Sequence, residues 1–153
     1  MKTLSNLPDK QTLLSRIGRV RGDSRRGWGR MSAPQMICHL SDAFRVALGE
    51  RQVTPQDNLF TRTLLKWGGL WVPVPWPHGF QGPPEIDALV TGTPPGPLLE
   101  ADKQELCAYV DRFATKPAVL ASNRSPVFGK MSLADWMRWG YLHTDHHLRQ
   151  FHC

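Results

Sequence analysis

Apolar residues recur at helical spacing through most of this chain. In PDKQTLLSRIGRVR (8–21), Leu13, Leu14, Ile17 and Val20 follow a 3.6-residue period and Pro8 suits a first turn, so the pattern predicts a first helix. In SAPQMICHLSDAFRVALGE (32–50), Ser32 followed three residues later by Gln35 is a capping-box signature, Pro34 is tolerated in the first turn, and Gly49 is the natural stop. Ser32, Gln35, Met36, His39, Asp42, Ala43 and Val46 then share one face, which places His39 among core residues.

A shorter helix is expected over 58–71, ending near Gly68 and Gly69. The following segment, 72–97, carries eight of the thirteen prolines and four glycines, a density that neither a regular helix nor a central strand survives. It is too rich in Trp, Phe, Ile, Leu and Val for a free linker, so the expectation is an ordered loop laid over the domain, a candidate lid. Helical period resumes over 98–115 through Leu99, Leu106, Val110 and Phe113, and Pro117 ends it. The turn-rich SNRSPVFGKM leads to a last helix over 132–151, where Ser132 and Asp135 repeat the capping pattern. With no alternating β pattern of any length, four or five helices predict an all-α bundle, a single domain over 1–153.

Length and composition narrow the class. A chain of 153 residues buries roughly 70% of its unfolded surface, so neither disulfide nor structural metal is needed to fold it. No apolar run is long enough to span a membrane, and Asp9 and Lys10 interrupt any leader-like stretch, so a cytoplasmic protein is expected. Cys38, Cys107 and Cys153 are odd in number and lack C-x-x-C spacing, which predicts reduced thiols. The formal charge of +6 lies wholly in residues 1–30, with eight Lys/Arg against two Asp; the remainder balances at eleven of each sign. That basic segment reads as a solvated helix and loop. An anion-binding edge is the competing reading, and nucleic acid ranks low because no aromatic interleaving or recognised motif accompanies the charge.

The chain's candidate chemistry is at its end. Four of six histidines fall in HTDHHLRQFHC (143–153). Taken as one helix, Trp136, Trp139, His143, His147 and Gln150 lie on one side, and the bulky indoles define that side as inward. Two imidazoles four apart can chelate one ion, and His39 on another inward face adds a third. A pair at spacing three, His143 with His146, satisfies spacing equally well. Thr144 stands where a zincin needs its glutamate base. Asp42, about 60° around its helix from His39, is a candidate fourth ligand or acceptor for an imidazole N–H. Asp145 is expected to face solvent, and Cys38, about 100° from His39, to pack rather than bind.

WGRMSAPQMICHLSDAF (28–44) and FGKMSLADWMRWGYLHTDHHLRQF (128–151) together resemble the DinB/YfiT-like superfamily, in particular a bacterial branch catalogued as a domain of unknown function. The shared pattern is Trp–Ser–x–x–(Gln/Glu)–x–x–x–His opening the second helix, and H-x-x-x-H followed by (Arg)–x–Gln in the last. In that branch a His-Pro pair commonly precedes the Phe-Gly, where this chain has Ser125-Pro126.

The resemblance implies an up-down-down-up four-helix bundle, often dimeric, in which the Pro/Gly-rich segment over 72–97 would form a long loop between the second and third main helices. It also implies a divalent ion, usually zinc or nickel, held by His39, His143 and His147, with His146 at a non-ligand position. Relatives include bacillithiol-dependent transferases and mycothiol-dependent isomerases. Three neutral nitrogens leave coordination positions open for water, a thiolate or a substrate atom. Two functions follow as expectations. One is a metal-dependent enzyme acting on a small molecule, of thiol-cofactor S-transferase or hydrolase type, with Asp42 and Glu105 as candidate bases. The other is a non-catalytic metal or small-ligand binding protein. Trp67, Trp71 and Trp76 are the expected surface of a homodimer.

Overall fold

The computed structural model describes residues 1–80 and 82–153. The fold is mostly helical: α1 (Leu7–Arg19), α2 (Ala33–Ala47), α3 (Lys66–Trp71), α4 (Leu99–Thr115), α5 (Pro117–Ser122) and α6 (Leu133–Gln150), with two-residue strands β1 (Arg124–Ser125) and β2 (Gly129–Lys130). A π-helical turn over Thr61–Leu65 runs directly into α3. No helix among the described residues is long and apolar enough to cross a membrane.

The helix starts follow from side chains that satisfy orphan backbone donors. Asn6 accepts from the amide of Asp9 at 3.0 Å and opens α1, with Pro8 in its first turn. Ser32 and Gln35 form a reciprocal capping box at α2, as Ser132 and Asp135 do at α6. α2 packs along α4 and also against α6, while α1 lies against α4 and α6. Phe44, Phe113 and Trp136 meet edge to face between them, the Phe44 and Phe113 centroids 5.1 Å apart. Gly140 makes that packing possible, since a Cβ there would stand 2.6 Å from Leu4 Cδ1 and 2.9 Å from Phe113 Cε1.

Three expectations need correction. α3 runs through Gly68 and Gly69 to Trp71, because burying Leu70 and donating the Trp71 indole N–H to Asp135 Oδ1 at 2.9 Å outweigh the weak propensity of two glycines. Pro117 ends α4 but also opens α5, where a first-turn proline lacks only an amide that would be unpaired anyway. The 123–131 connection pairs briefly, Arg124 with Lys130 and Ser125 with Gly129.

The described residues of the Pro-rich segment lie against the helices and include a 3-10 turn at Pro84–Ile86. Its anchor is ionic. The buried Asp42 carboxylate accepts from the Thr93 amide and hydroxyl, each at 2.8 Å, and from Arg51 Nη1 at 2.8 Å; Arg51 Nη2 donates to the carbonyls of Glu85 at 2.6 Å and Thr91 at 3.2 Å. Arg51 thus holds the 3-10 turn at Glu85, and Asp42 and Arg51 together hold the chain beyond it at Thr91 and Thr93.

Candidate metal centre

α2 delivers His39, and α6 delivers His143 and His147 on successive turns of one face. The capping boxes fix where each helix begins, and so the phase at which these rings emerge. One ligand atom from each ring falls within 4.8 Å of the others, so the three histidines could hold a metal ion.

Hydrogen bonding selects which nitrogen is offered. His39 Nδ1 lies 2.7 Å from the carbonyl oxygen of Ile86, an acceptor only, so Nδ1 carries the proton and Nε2 keeps its lone pair. His147 Nδ1 lies 2.8 Å from Gln150 Oε1, which assigns the same tautomer. The Nε2 atoms of His143 and His147 are 3.1 Å apart. The edge of a tetrahedron of zinc–nitrogen bonds is about 3.3 Å, so this pair already stands near the spacing of two ligands on one ion. His143 stacks on Trp139, with centroids 5.1 Å apart and planes at 21°, and its buried Nδ1 has no hydrogen-bond partner among the described residues.

Burial is the first cause that lowers the affinity of all three rings for protons. His143 and His147 fall well below the ordinary histidine value, because each also faces a neighbouring imidazole of the trio. Neutral imidazoles are the form that ligates metal. No carboxylate belongs to the trio, so an ion bound here would keep its full charge.

The remaining candidates separate cleanly. Asp42 is neither ligand nor imidazole acceptor, because its two oxygens are engaged by Thr93, Arg51 and Arg45. Glu105 is exposed on α4 and does not line the histidine pocket. Neither belongs to the group of three imidazoles. Cys38 is buried against Asp102; burial first, then that carboxylate, push its thiol up to about 11, leaving a protonated packing residue. Asp145 does not face solvent freely but accepts from Arg16 Nη1 at 2.5 Å, while Lys10 pairs with Asp111 at 2.6 Å. Part of the amino-terminal charge is thus neutralised within the fold. Of the three expected surface tryptophans only Trp67 is exposed; Trp71 is bonded to Asp135, and Trp76 lies with its centroid 6.1 Å from that of His143. His146 sits beside Trp76 and Trp28, outside the trio.

Sequence reasoning missed two groups that orient the ligands. The Ile86 carbonyl is backbone, in a segment whose path could not be read from its prolines. Gln150 was legible, three residues after His147 on the same helix face. The loop between α1 and α2 backs it: the Gly27 amide donates to the Gln150 backbone carbonyl at 2.7 Å, and a Cβ on Gly29, at φ +83, would press on Gln150 Nε2 at 2.8 Å.

The trio lies in a cavity of about 430 Å³ whose lining includes Trp76, Phe80, Ile86, Leu89, Trp136 and Trp139. The Pro-rich segment supplies four of these six residues, so it covers the site as well as the domain. Compared with protein-family models, curated proteins and solved structures, the chain has no match.

Proposed function

We propose that this chain is a metal-dependent protein of the DinB/YfiT-like type, an enzyme that acts on a small molecule by thiol transfer or hydrolysis. The observation that carries this reading is the convergence of three imidazoles, two with their Nδ1 atoms engaged, in a cavity large enough for a small molecule. Contacts of α1, α2, α4 and α6 suit the up-down-down-up bundle of that superfamily, and Gln150 occupies the glutamine position of its last-helix pattern.

Zinc or nickel suits an all-imidazole set, and when bound it would supply Lewis acidity, lowering the pKa of water or stabilising a thiolate. The chain's residues supply the rest. His39, His143 and His147 would hold the ion, Ile86 and Gln150 fix the orientation of two of the rings, and aromatic side chains line the space beside them. A cytoplasmic setting agrees with three unpaired cysteines. The apolar side chains exposed over 59–67, Leu59, Phe60, Leu64 and Trp67, are the surface on which a homodimer would form.

The alternative is a metal or small-ligand binding protein without turnover. It is favoured by one observation: of the carboxylates considered as bases, Asp42 is bonded to Arg51 and Thr93, and Glu105 is exposed on α4. Cobalt-substituted protein separates the readings. A small thiol should change the visible spectrum saturably, and an enzyme should also make the bound thiol react with an electrophile faster than free thiol at the same pH. Spectral binding without acceleration across a broad set of electrophiles supports the binding protein.

A further inference from the structure

The cavity walls and the charge of the ligand set together restrict what the site accepts, and we infer that its ligand is a flat, apolar body carrying one monoanionic metal-binding head. This rests on the metal reading above and narrows it to a substrate class.

The body follows from the walls. Three indoles, Trp76, Trp136 and Trp139, contribute to the lining with Phe80, Ile86 and Leu89. Polar side chains are a minority of the lining and several are already engaged, although Trp136 Nε1 and His143 Nδ1 are buried without a partner among the described residues. Gln150 Oε1 faces His147, Ser125 Oγ accepts from the amides of Val127 and Phe128, and Asp87 Oδ1 accepts from the amide of Leu89. A ligand rich in hydroxyls would have to pair each of them with these few polar atoms, and each hydroxyl left unpaired would cost roughly tenfold in affinity. A ring system would instead stack on the indoles and bury its apolar surface.

The head follows from charge. Three neutral imidazoles leave a divalent ion uncompensated, and Asp87 is the one carboxylate among the described lining residues. A thiolate, carboxylate or hydroxamate would partly cancel that charge while occupying an open position. Arg30, exposed where it lines the cavity, attracts the same sign.

The test uses cobalt-loaded protein and two matched pairs of ligands, acetohydroxamate with 2-naphthohydroxamate and 2-mercaptoethanol with 2-naphthalenethiol, each titrated by visible absorption. With affinities corrected for the heads' solution pKa values, the naphthyl member of each pair should bind at least about 30-fold more tightly, the scale expected when an aromatic body is buried. Phe80→Ser and Leu89→Ser, at sites exposed enough to spare the fold, should narrow that ratio. Equal affinities within each pair, or a ratio unmoved by both variants, overturn the inference and leave the metal reading standing. Cobalt that does not bind, or that responds to no head group, overturns the metal reading and the inference with it.

Discussion

Ile86 and His39 are joined by a hydrogen bond of 2.7 Å from an imidazole Nδ1 to a backbone carbonyl, and that bond makes the Pro-rich segment part of the metal centre. The carbonyl is held in turn. Arg51 donates to the carbonyl of Glu85, one residue before Ile86, and Asp42, one turn beyond His39 on α2, anchors both Arg51 and Thr93. Ligand and orienting group are therefore fixed from the same helix.

Arg51→Met should lower affinity for zinc by about 10-fold or more, because it frees the carbonyls that position Ile86 and leaves Asp42 short of a partner. Competition against a chromophoric chelator measures this. Arg51→Lys should recover part of the affinity, since one ammonium cannot reproduce the guanidinium fork. An unchanged dissociation constant in a folded Arg51→Met protein would remove this network from the site.

Gln150→Leu should weaken zinc binding about 10- to 100-fold while the fold persists, because it removes the acceptor that holds the His147 tautomer without opening a cavity. Gly29→Ala should weaken it in the same direction, through pressure on the Gln150 amide and a positive φ. Thermal unfolding of the metal-free proteins separates this from general damage. If both variants bind zinc as tightly as the parent, Gln150 does not orient the ligand.

Much of this site was legible in the residues and part of it was not. The capping pairs Ser32/Gln35 and Ser132/Asp135 fixed two helix starts, and period alone then put His39, His143 and His147 inward. Spacing could not decide between His146 and His147, because the choice depends on where the rings of α2 and α6 meet. The partners of Asp42 could not be read for a similar reason: its helix phase places it near His39, but Arg51 and Thr93, which bond its carboxylate, are nine and fifty-one residues away in sequence. The extension of α3 past two glycines depended on a tertiary bond from Trp71 to Asp135 that no local pattern announces.

Gly140→Ala should destabilise the protein by about 1–3 kcal/mol, although alanine is the better helix former by about 1 kcal/mol. The added methyl would meet Leu4 and the Phe113 ring in a closely packed core. Denaturant unfolding measures the difference, and a stabilised variant would mean that the core yields more readily than its contacts imply.

Acid should destabilise the metal-free protein before carboxylates titrate. The folded trio holds its rings below the ordinary histidine value of 6.5, so near pH 6.5 the unfolded chain begins to take up protons that the folded chain refuses. Stability is full above that pH and falls as pH drops below it, by up to about 1.4 kcal/mol per pH unit for each ring. Unfolding midpoints between pH 7 and 5 test this, and His143→Gln should flatten the slope.

Zinc titration of the metal-free protein, with stoichiometry and affinity read for the parent and for four single alanine variants, tests the metal centre most directly. The structure predicts one ion per chain, sharply weakened by His39→Ala, His143→Ala and His147→Ala and retained by His146→Ala. Loss of binding in His146→Ala with binding intact in His147→Ala would contradict it, as would a folded parent that takes up no ion.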